Sequence, residues 1–117
     1  MVEPEPLLSA TALSIAAGGR RLLDDLTLSV RQGECWGLIG PNGSGKTSLL
    51  HVLAGIMPPA SGVVCYAARP AGSLSSRERA RHVGVMLQNE DHVFPATVLE
   101  RVLAGRHAHR PPCCLLY

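Results

Sequence analysis

The stretch Gly40-Pro41-Asn42-Gly43-Ser44-Gly45-Lys46-Thr47 decides how the rest of this sequence is interpreted. It fits the phosphate-loop pattern G-x-x-x-x-G-K-[ST] at every specified position. The apolar run at residues 35–39 comes directly before it and is typical of a buried parallel strand. After it, leucine, valine and isoleucine recur at helical spacing until Gly55 and Pro58-Pro59 end the pattern. The loop is therefore predicted to join a strand to a helix.

The loop residues predict a site for phosphate groups. Glycines at positions 40, 43 and 45 let the backbone turn sharply, so that successive N–H groups and the positive end of the helix dipole face an anion. Lys46 is the expected charge on the β- and γ-phosphates, and Thr47 is the expected Mg²⁺ ligand. A chance glycine-rich turn is the competing interpretation, and the match on both flanks disfavours it. The predicted binding residues are Gly40, Pro41, Asn42, Gly43, Ser44, Gly45, Lys46, Thr47 and Ser48.

Composition restricts the class of protein. With 117 residues the chain is one domain or less, and a net charge of +2 argues against a nucleic-acid-binding face. The acidic, proline-rich start lacks the features of a signal peptide, and no apolar run approaches the ~20 residues that cross a bilayer. We therefore expect a cytoplasmic protein that reaches a membrane only through a partner.

The four cysteines lack metal-ligand spacing, and Cys35 and Cys65 are expected in the core.

Elsewhere the chain alternates between strand and helix patterns. Residues 1–9 are predicted as a loose leader, and capping-box patterns at Ser75-x-x-Glu78 and Thr97-x-x-Glu100 predict two helices, the second with an apolar face. Strands are predicted around residues 11–15, 26–30, 63–67 and 83–87, with a turn at 17–20. The predicted fold is α/β: a P-loop core with an N-terminal antiparallel β lobe and the beginning of a helical subdomain.

With these landmarks placed, residues 13–110 resemble the N-terminal half of an ATP-binding-cassette (ABC) transporter ATPase. The resemblance rests on the Pro-Asn-Gly within the phosphate loop, the strand at residues 22–28, Ser61-Gly62-Val63-Val64, and Gln88 in the place of the family's Q-loop glutamine. Residues 94–98 and 103–109 resemble the branch that imports cobalamin, haem and iron siderophores. We interpret residues 1–110 as a partial nucleotide-binding domain that stops before the signature motif, and 111–117 as a divergent tail.

The resemblance implies a function. Such a subunit binds ATP with Mg²⁺, with Thr47 and Gln88 contacting the metal, and Gln88 also contacting the attacking water and coupling the site to the membrane subunits. It works with transmembrane permease subunits and a second ATPase subunit, at the inner face of the membrane. Small residues, Ala16-Ala17, stand where the family usually has an adenine-stacking aromatic residue, which leaves base selectivity open.

Three interpretations remain at this point. The first is the nucleotide-binding half of an importer ATPase. The second is a different small P-loop NTPase, although no guanine-specifying Asn-Lys-x-Asp motif occurs. The third is a fragment that binds nucleotide without turnover, because the 117 residues contain no signature motif, no apolar strand ending in Asp-Glu and no switch histidine. The tail could mark a truncation or a shifted reading frame. Glu90 and Asp91 lie close to Gln88, but they fall in a polar stretch and are interpreted as solvated charges. With Glu100, they are the acids to search for a catalytic carboxylate if the chain turns over ATP.

Overall fold

A computed structural model of the chain describes residues 2–88 and 95–109. The chain divides into two compact units, Met1–Ser75 and Ser76–Tyr117. The first contains a β-sheet and the phosphate loop, and the second contains short helices. The predicted tail, 111–117, lies outside the described residues, and the assignment of residues 1–110 to one partial domain stays a prediction.

The first unit is organised by a four-stranded antiparallel sheet with strand order β2-β1-β3-β4. Its strands are β1 (Leu8–Ala17), β2 (Arg20–Val30), β3 (Ser61–Tyr66) and β4 (Arg69–Pro70). Gly18 and Gly19 have φ values of 58° and 74°, the positive φ at both central positions that a type I′ hairpin turn needs. The predicted turn and β lobe are confirmed. The predicted leader is wrong at its end, because β1 already begins at Leu8.

The core of this unit lies between the sheet and helix α1 (Lys46–Leu53), which follows the phosphate loop as predicted. β1 is one of the two interior strands of the sheet, and consecutive residues of it are buried where β2 and β3 flank it. α1 contributes Leu49 and Val52. The buried apolar side chains of the unit are Ala10, Leu13, Ile15, Leu49, Val52, Val64, Tyr66 and Leu74. This core fixes α1, and with it the phosphate loop, against the β lobe.

Strands β1 and β3 approach closely at Gly62. This glycine has φ 88°, and a Cβ atom there would lie 2.4 Å from the carbonyl oxygen of Ala12. The β1–β3 register shifts between Thr11 and Ser14, beside this contact. An irregular strand therefore pairs with β3 only because residue 62 has no side chain.

Two predicted strands are absent. Residues 35–39, which precede the phosphate loop, are irregular, and so are residues 83–87. Neither segment belongs to the described sheet. Ile39 is 97% exposed and Met86 is 95% exposed. A buried parallel strand needs hydrogen-bonded neighbours on both edges and cover on both faces. Among the described residues no strand supplies either, so the apolar character of these stretches does not produce a strand.

The cysteine predictions divide in the same way. Cys65 lies in β3 and is partly buried, whereas Cys35 is exposed because the segment around it is not covered. The prediction that Cys35 is a core residue is wrong.

Among residues 2–88 and 95–109, no helix is long and apolar enough to cross a membrane.

The second unit contains α2 (Ser76–His82), α3 (Val98–Ala104) and a short 3₁₀ turn, His107–His109. The guanidinium Nε atoms of Arg77 and Arg81 both donate to the carbonyl oxygen of Ala108, at 3.4 Å and 2.9 Å, which holds the turn against α2. The capping box of α3 is confirmed: the amide of Glu100 donates to Thr97 Oγ1, and the Thr97 amide donates to the Glu100 carboxylate. The predicted apolar face of α3 stays uncovered by the described residues, and its residue Val98 is 81% exposed.

Candidate phosphate-binding site

The phosphate loop connects the irregular segment 34–40 to α1 through two glycines in the left-handed region. Gly43 has φ 80°, and Gly45, the N-cap of α1, has φ 97°. A Cβ atom on Gly45 would also lie 3.1 Å from the Cβ of Leu22 in β2. Position 45 therefore requires glycine both for its backbone conformation and for the close approach of the β lobe.

The loop presents unused hydrogen-bond donors. The first amide of α1 to find a carbonyl is that of Leu49, which donates to Gly45 at 2.8 Å, and within the loop the Ser44 amide donates to Pro41 at 3.2 Å. Among the described residues, the N–H groups of positions 45–48 make no hydrogen bond. They lie at the positive end of the helix dipole, where an anion is stabilised. This arrangement suits phosphate oxygens.

Lys46 supplies a positive charge at the same place. Its ammonium Nζ donates to the carbonyl oxygens of Gly40 and Pro41, the second at 2.8 Å. The Lys46 side chain therefore folds back over the beginning of the loop and links its two ends by hydrogen bonds. A phosphate group that binds the loop amides would compete with these two carbonyls for the ammonium group.

A cavity of about 290 Å³ opens at the loop. Its volume lies just below the ~300–1,000 Å³ that is usual for small-molecule pockets. Leu22 of β2 contributes an apolar wall, a role that the sequence did not predict, because which β2 residue faces the loop depends on how the sheet packs against it. The lining residues are Leu22, Asn42, Gly43, Gly45, Lys46, Thr47 and Ser48.

The structure therefore brings most of the predicted binding residues together. Gly40, Pro41 and Ser44 shape the loop without lining the cavity. Gln88 is exposed at a bend and belongs to the second unit. Ala16-Ala17 are exposed at the end of β1 and do not line the cavity. The acids Glu90 and Asp91 lie outside the described residues.

Asp24 of the β lobe and Glu34 of the segment before the loop have partners outside the cavity. The Ser14 hydroxyl donates to Asp24 at 2.9 Å, and Arg21 lies 2.9 Å from the other carboxylate oxygen; these contacts lower the pKa of Asp24. The pKa of Glu34 is lowered by the Arg31 backbone amide at 2.8 Å, and next by the Trp36 indole N–H at 3.0 Å. Both carboxylates are held by contacts away from the cavity. In the described part of the chain, no group of three His, Cys, Asp or Glu side chains could hold a metal ion.

Comparison with known proteins identifies the family. Residues 23–110 match the family described as ABC transporter. The chain belongs to the ABC transporter family.

Similar members of this family are known from several organisms. The chain is 40% identical over 104 residues to the "Hemin import ATP-binding protein HmuV" of Escherichia coli O157:H7, covering 89% of this chain and 41% of that protein. It is 37% identical over 102 residues to the "Cobalamin import ATP-binding protein BtuD" of Halobacterium salinarum, covering 87% and 26%. The chain thus spans well under half the length of these curated relatives.

Solved structures support the ABC ATPase fold. An "ATP binding subunit of ABC transporter" superimposes with a TM-score of 0.57 at 30% identity, covering 63% of this chain and 31% of that one. The structure of cbiO1 from Clostridium perfringens, part of the ABC transporter complex cbiONQ, gives a TM-score of 0.58 at 24% identity and covers 68% and 32%. The predicted fold class, a P-loop core of ABC type with an antiparallel β lobe, is confirmed.

Proposed function

We propose that this ABC transporter chain binds Mg·ATP through Gly40–Ser48, as part of the ATP-binding subunit of an importer. The observation that carries the proposal is a set of N–H groups at positions 45–48 that make no hydrogen bond within the described residues and belong to residues lining the cavity. Donors that are fixed before the ligand arrives need little reorganisation to bind phosphate oxygens. We infer from family membership that the nucleotide is ATP, because similar proteins are named for ATP binding.

Each loop residue has a role in this proposal. The amides of the first helical turn bind phosphate oxygens, and the Lys46 ammonium leaves the carbonyls of Gly40 and Pro41 to contact the β- and γ-phosphates. Thr47 lines the same cavity. We propose that its hydroxyl oxygen contacts Mg²⁺, which takes few protein ligands because it keeps several of its waters. The metal, when bound, neutralises charge on the phosphates. Gln88 is proposed as the second metal contact, the contact to the attacking water and the coupling residue.

The partners follow from the family. We infer that the intact subunit pairs with a second ATPase subunit and with transmembrane permease subunits, at the inner face of the membrane. The relatives named for hemin and cobalamin import support the importer branch. Among the residues that the structure describes, those lining the cavity are Leu22 and residues of the predicted binding stretch 40–48, so the lining carries no information about the transported molecule.

The binding proposal is tested with Lys46→Ala in titration calorimetry with Mg·ATP. A charge-assisted contact to phosphate contributes on the order of 1.5–3 kcal/mol, so the affinity should fall at least about tenfold. Arg69→Ala is the matched control, since it removes one positive charge from β4, outside the cavity. Equal affinities for wild type and Lys46→Ala would refute the assignment. A preference for GTP over ATP would favour a different P-loop NTPase.

A second candidate function is nucleotide binding without turnover. Transfer of a phosphoryl group needs a loop, metal ligands, a positioned carboxylate and opposing donors together. Two acids that precede the loop in sequence, Asp24 and Glu34, are already held by contacts elsewhere. We expect phosphate release by the purified 117-residue chain to equal that of Lys46→Ala. Sustained release that depends on Lys46 would contradict this expectation and direct the search to Glu90, Asp91 and Glu100.

A further inference from the structure

The C-terminal end of α1 is held by a side chain from the sheet. The last four carbonyls of a helix lack partners within it. Here those of Leu50, His51 and Val52 accept backbone amides from residues 54–57, at 2.9–3.2 Å. The carbonyl of Leu53 accepts instead from the phenol of Tyr66, at 2.7 Å.

Tyr66 is well placed to hold this carbonyl. It is one of the fully buried side chains of the molecule, and its strand β3 pairs with both β1 and β4. A buried phenol has few alternative positions, so its oxygen is a fixed point rather than a mobile contact. Replacing the phenol by phenyl would leave the Leu53 carbonyl without this donor, at the cost of a lost hydrogen bond in a partly buried place.

The other end of α1 also contacts the β lobe, where Gly45 lies against Leu22 of β2. A helix of this length, ~12 Å, moves nearly as a rigid body. If the Leu53 end is released, the helix can tilt, and the N–H groups at positions 45–48 change direction with it. The hydrogen bond from Tyr66 to Leu53 at one end of α1 would therefore influence the orientation of the N–H groups at positions 45–48, at the other end.

We propose that Tyr66 is a positioning residue for the phosphate loop, acting through α1 by its hydrogen bond to Leu53. Tyr66 does not line the cavity, and it donates its hydrogen bond at the end of α1 remote from the loop, so we expect its effect on binding to be transmitted through the helix. The expected effect of Tyr66 on Mg·ATP affinity rests on the proposed function. Its expected effect on the orientation of the phosphate loop rests on the geometry of α1 alone.

The test is Tyr66→Phe, which keeps the ring and its packing and removes only the hydroxyl. At a temperature where both proteins are fully folded, Mg·ATP affinity should fall roughly threefold to tenfold, the range that one hydrogen bond allows. Amide hydrogen exchange without nucleotide gives a second readout. Exchange should accelerate at Ala54–Ile56 and also at Ser44 and Leu49, which donate within the loop and the first helical turn.

Thr27→Val is the matched control. It also replaces a hydroxyl by an apolar group, and it removes the acceptor of the Ala12 amide, on the β1–β2 pair and away from α1. We expect it to leave both affinity and exchange at Ser44 and Leu49 unchanged. Acceleration in Tyr66→Phe that is confined to Ala54–Ile56 would overturn the proposal, because Tyr66 would then be a local cap only. If the wild type itself fails to bind Mg·ATP, the proposed function fails, and exchange at Ser44 and Leu49 still decides the role of Tyr66.

Discussion

Apolar side chains are buried in one kind of segment of this chain and exposed in another. In β1, Leu13 and Ile15 are 0% and 1% exposed. In the segments at 34–40 and 83–87, Ile39 and Met86 are 97% and 95% exposed. The first segment forms a hairpin with its neighbour in sequence across a two-residue turn, whereas a parallel strand needs partners that are distant in the chain. Hydrophobicity alone therefore does not make a strand, and the availability of a partner decides the outcome.

The largest effect should come from matched truncations in the two segments. Ile15→Ala removes buried methyl groups and should destabilise the fold by about 2–5 kcal/mol in denaturant unfolding, because a cavity remains. Ile39→Ala should change stability by about 0.5 kcal/mol or less, since its side chain packs against almost nothing. Light scattering should show weaker self-association for Ile39→Ala, because exposed apolar stretches promote aggregation. Equal losses of stability for the two variants would contradict the comparison.

The next largest effect is expected at the β1–β3 junction. Gly62→Ala places a Cβ 2.4 Å from the Ala12 carbonyl oxygen and imposes a left-handed φ on alanine, so either the strands separate or the backbone changes. We expect a loss of roughly 2–4 kcal/mol, measured by thermal unfolding. Gly72→Ala is the control, because a Cβ there meets nothing within 4 Å. A Gly62→Ala variant as stable as Gly72→Ala would show that the junction is not tight.

The smallest effect is expected in α3, a helix that is stabilised by its N-terminal capping box rather than by packing. Val98, Leu99 and Val102 of α3 are exposed, so the helix depends largely on its cap. Thr97→Ala should therefore remove about 1 kcal/mol of local helix stability, observed by amide exchange at Arg101 and Gly105. The fold of the β lobe should be unaffected.

The same capping box makes α3 depend on pH. Hydrogen bonds from the Thr97 backbone amide and then its hydroxyl lower the pKa of Glu100 below its ordinary value of 4.5. A carboxyl whose pKa is lowered by folding stabilises the folded form fully above its unfolded pKa. That stabilisation is lost as the pH falls through the lowered pKa. Glu100→Gln keeps the capping geometry and should abolish the pH dependence; a dependence that persists in it would assign the effect to another group.

Local signals in the sequence predicted the features that depend on near neighbours. The hairpin at Gly18-Gly19, the helix after Lys46 and the capping box at Thr97 each depend on residues within a few positions, and all three are confirmed. The predictions for residues 35–39 and 83–87 were wrong, because they assumed partners that the described residues do not provide.

For the candidate site, the sequence by itself determined the loop chemistry. Glycines at 43 and 45, the ammonium of Lys46 and the hydroxyl of Thr47 are fixed by residue type, and the family is identified from this loop together with motifs along residues 23–110. Only the tertiary structure decided that Leu22 forms the wall of the cavity and that Tyr66 holds the far end of α1. Both contacts join residues 13 to 26 positions apart in the sequence. Pairings at such separations are set by how the sheet packs against the helix, and no local pattern of residues encodes that packing.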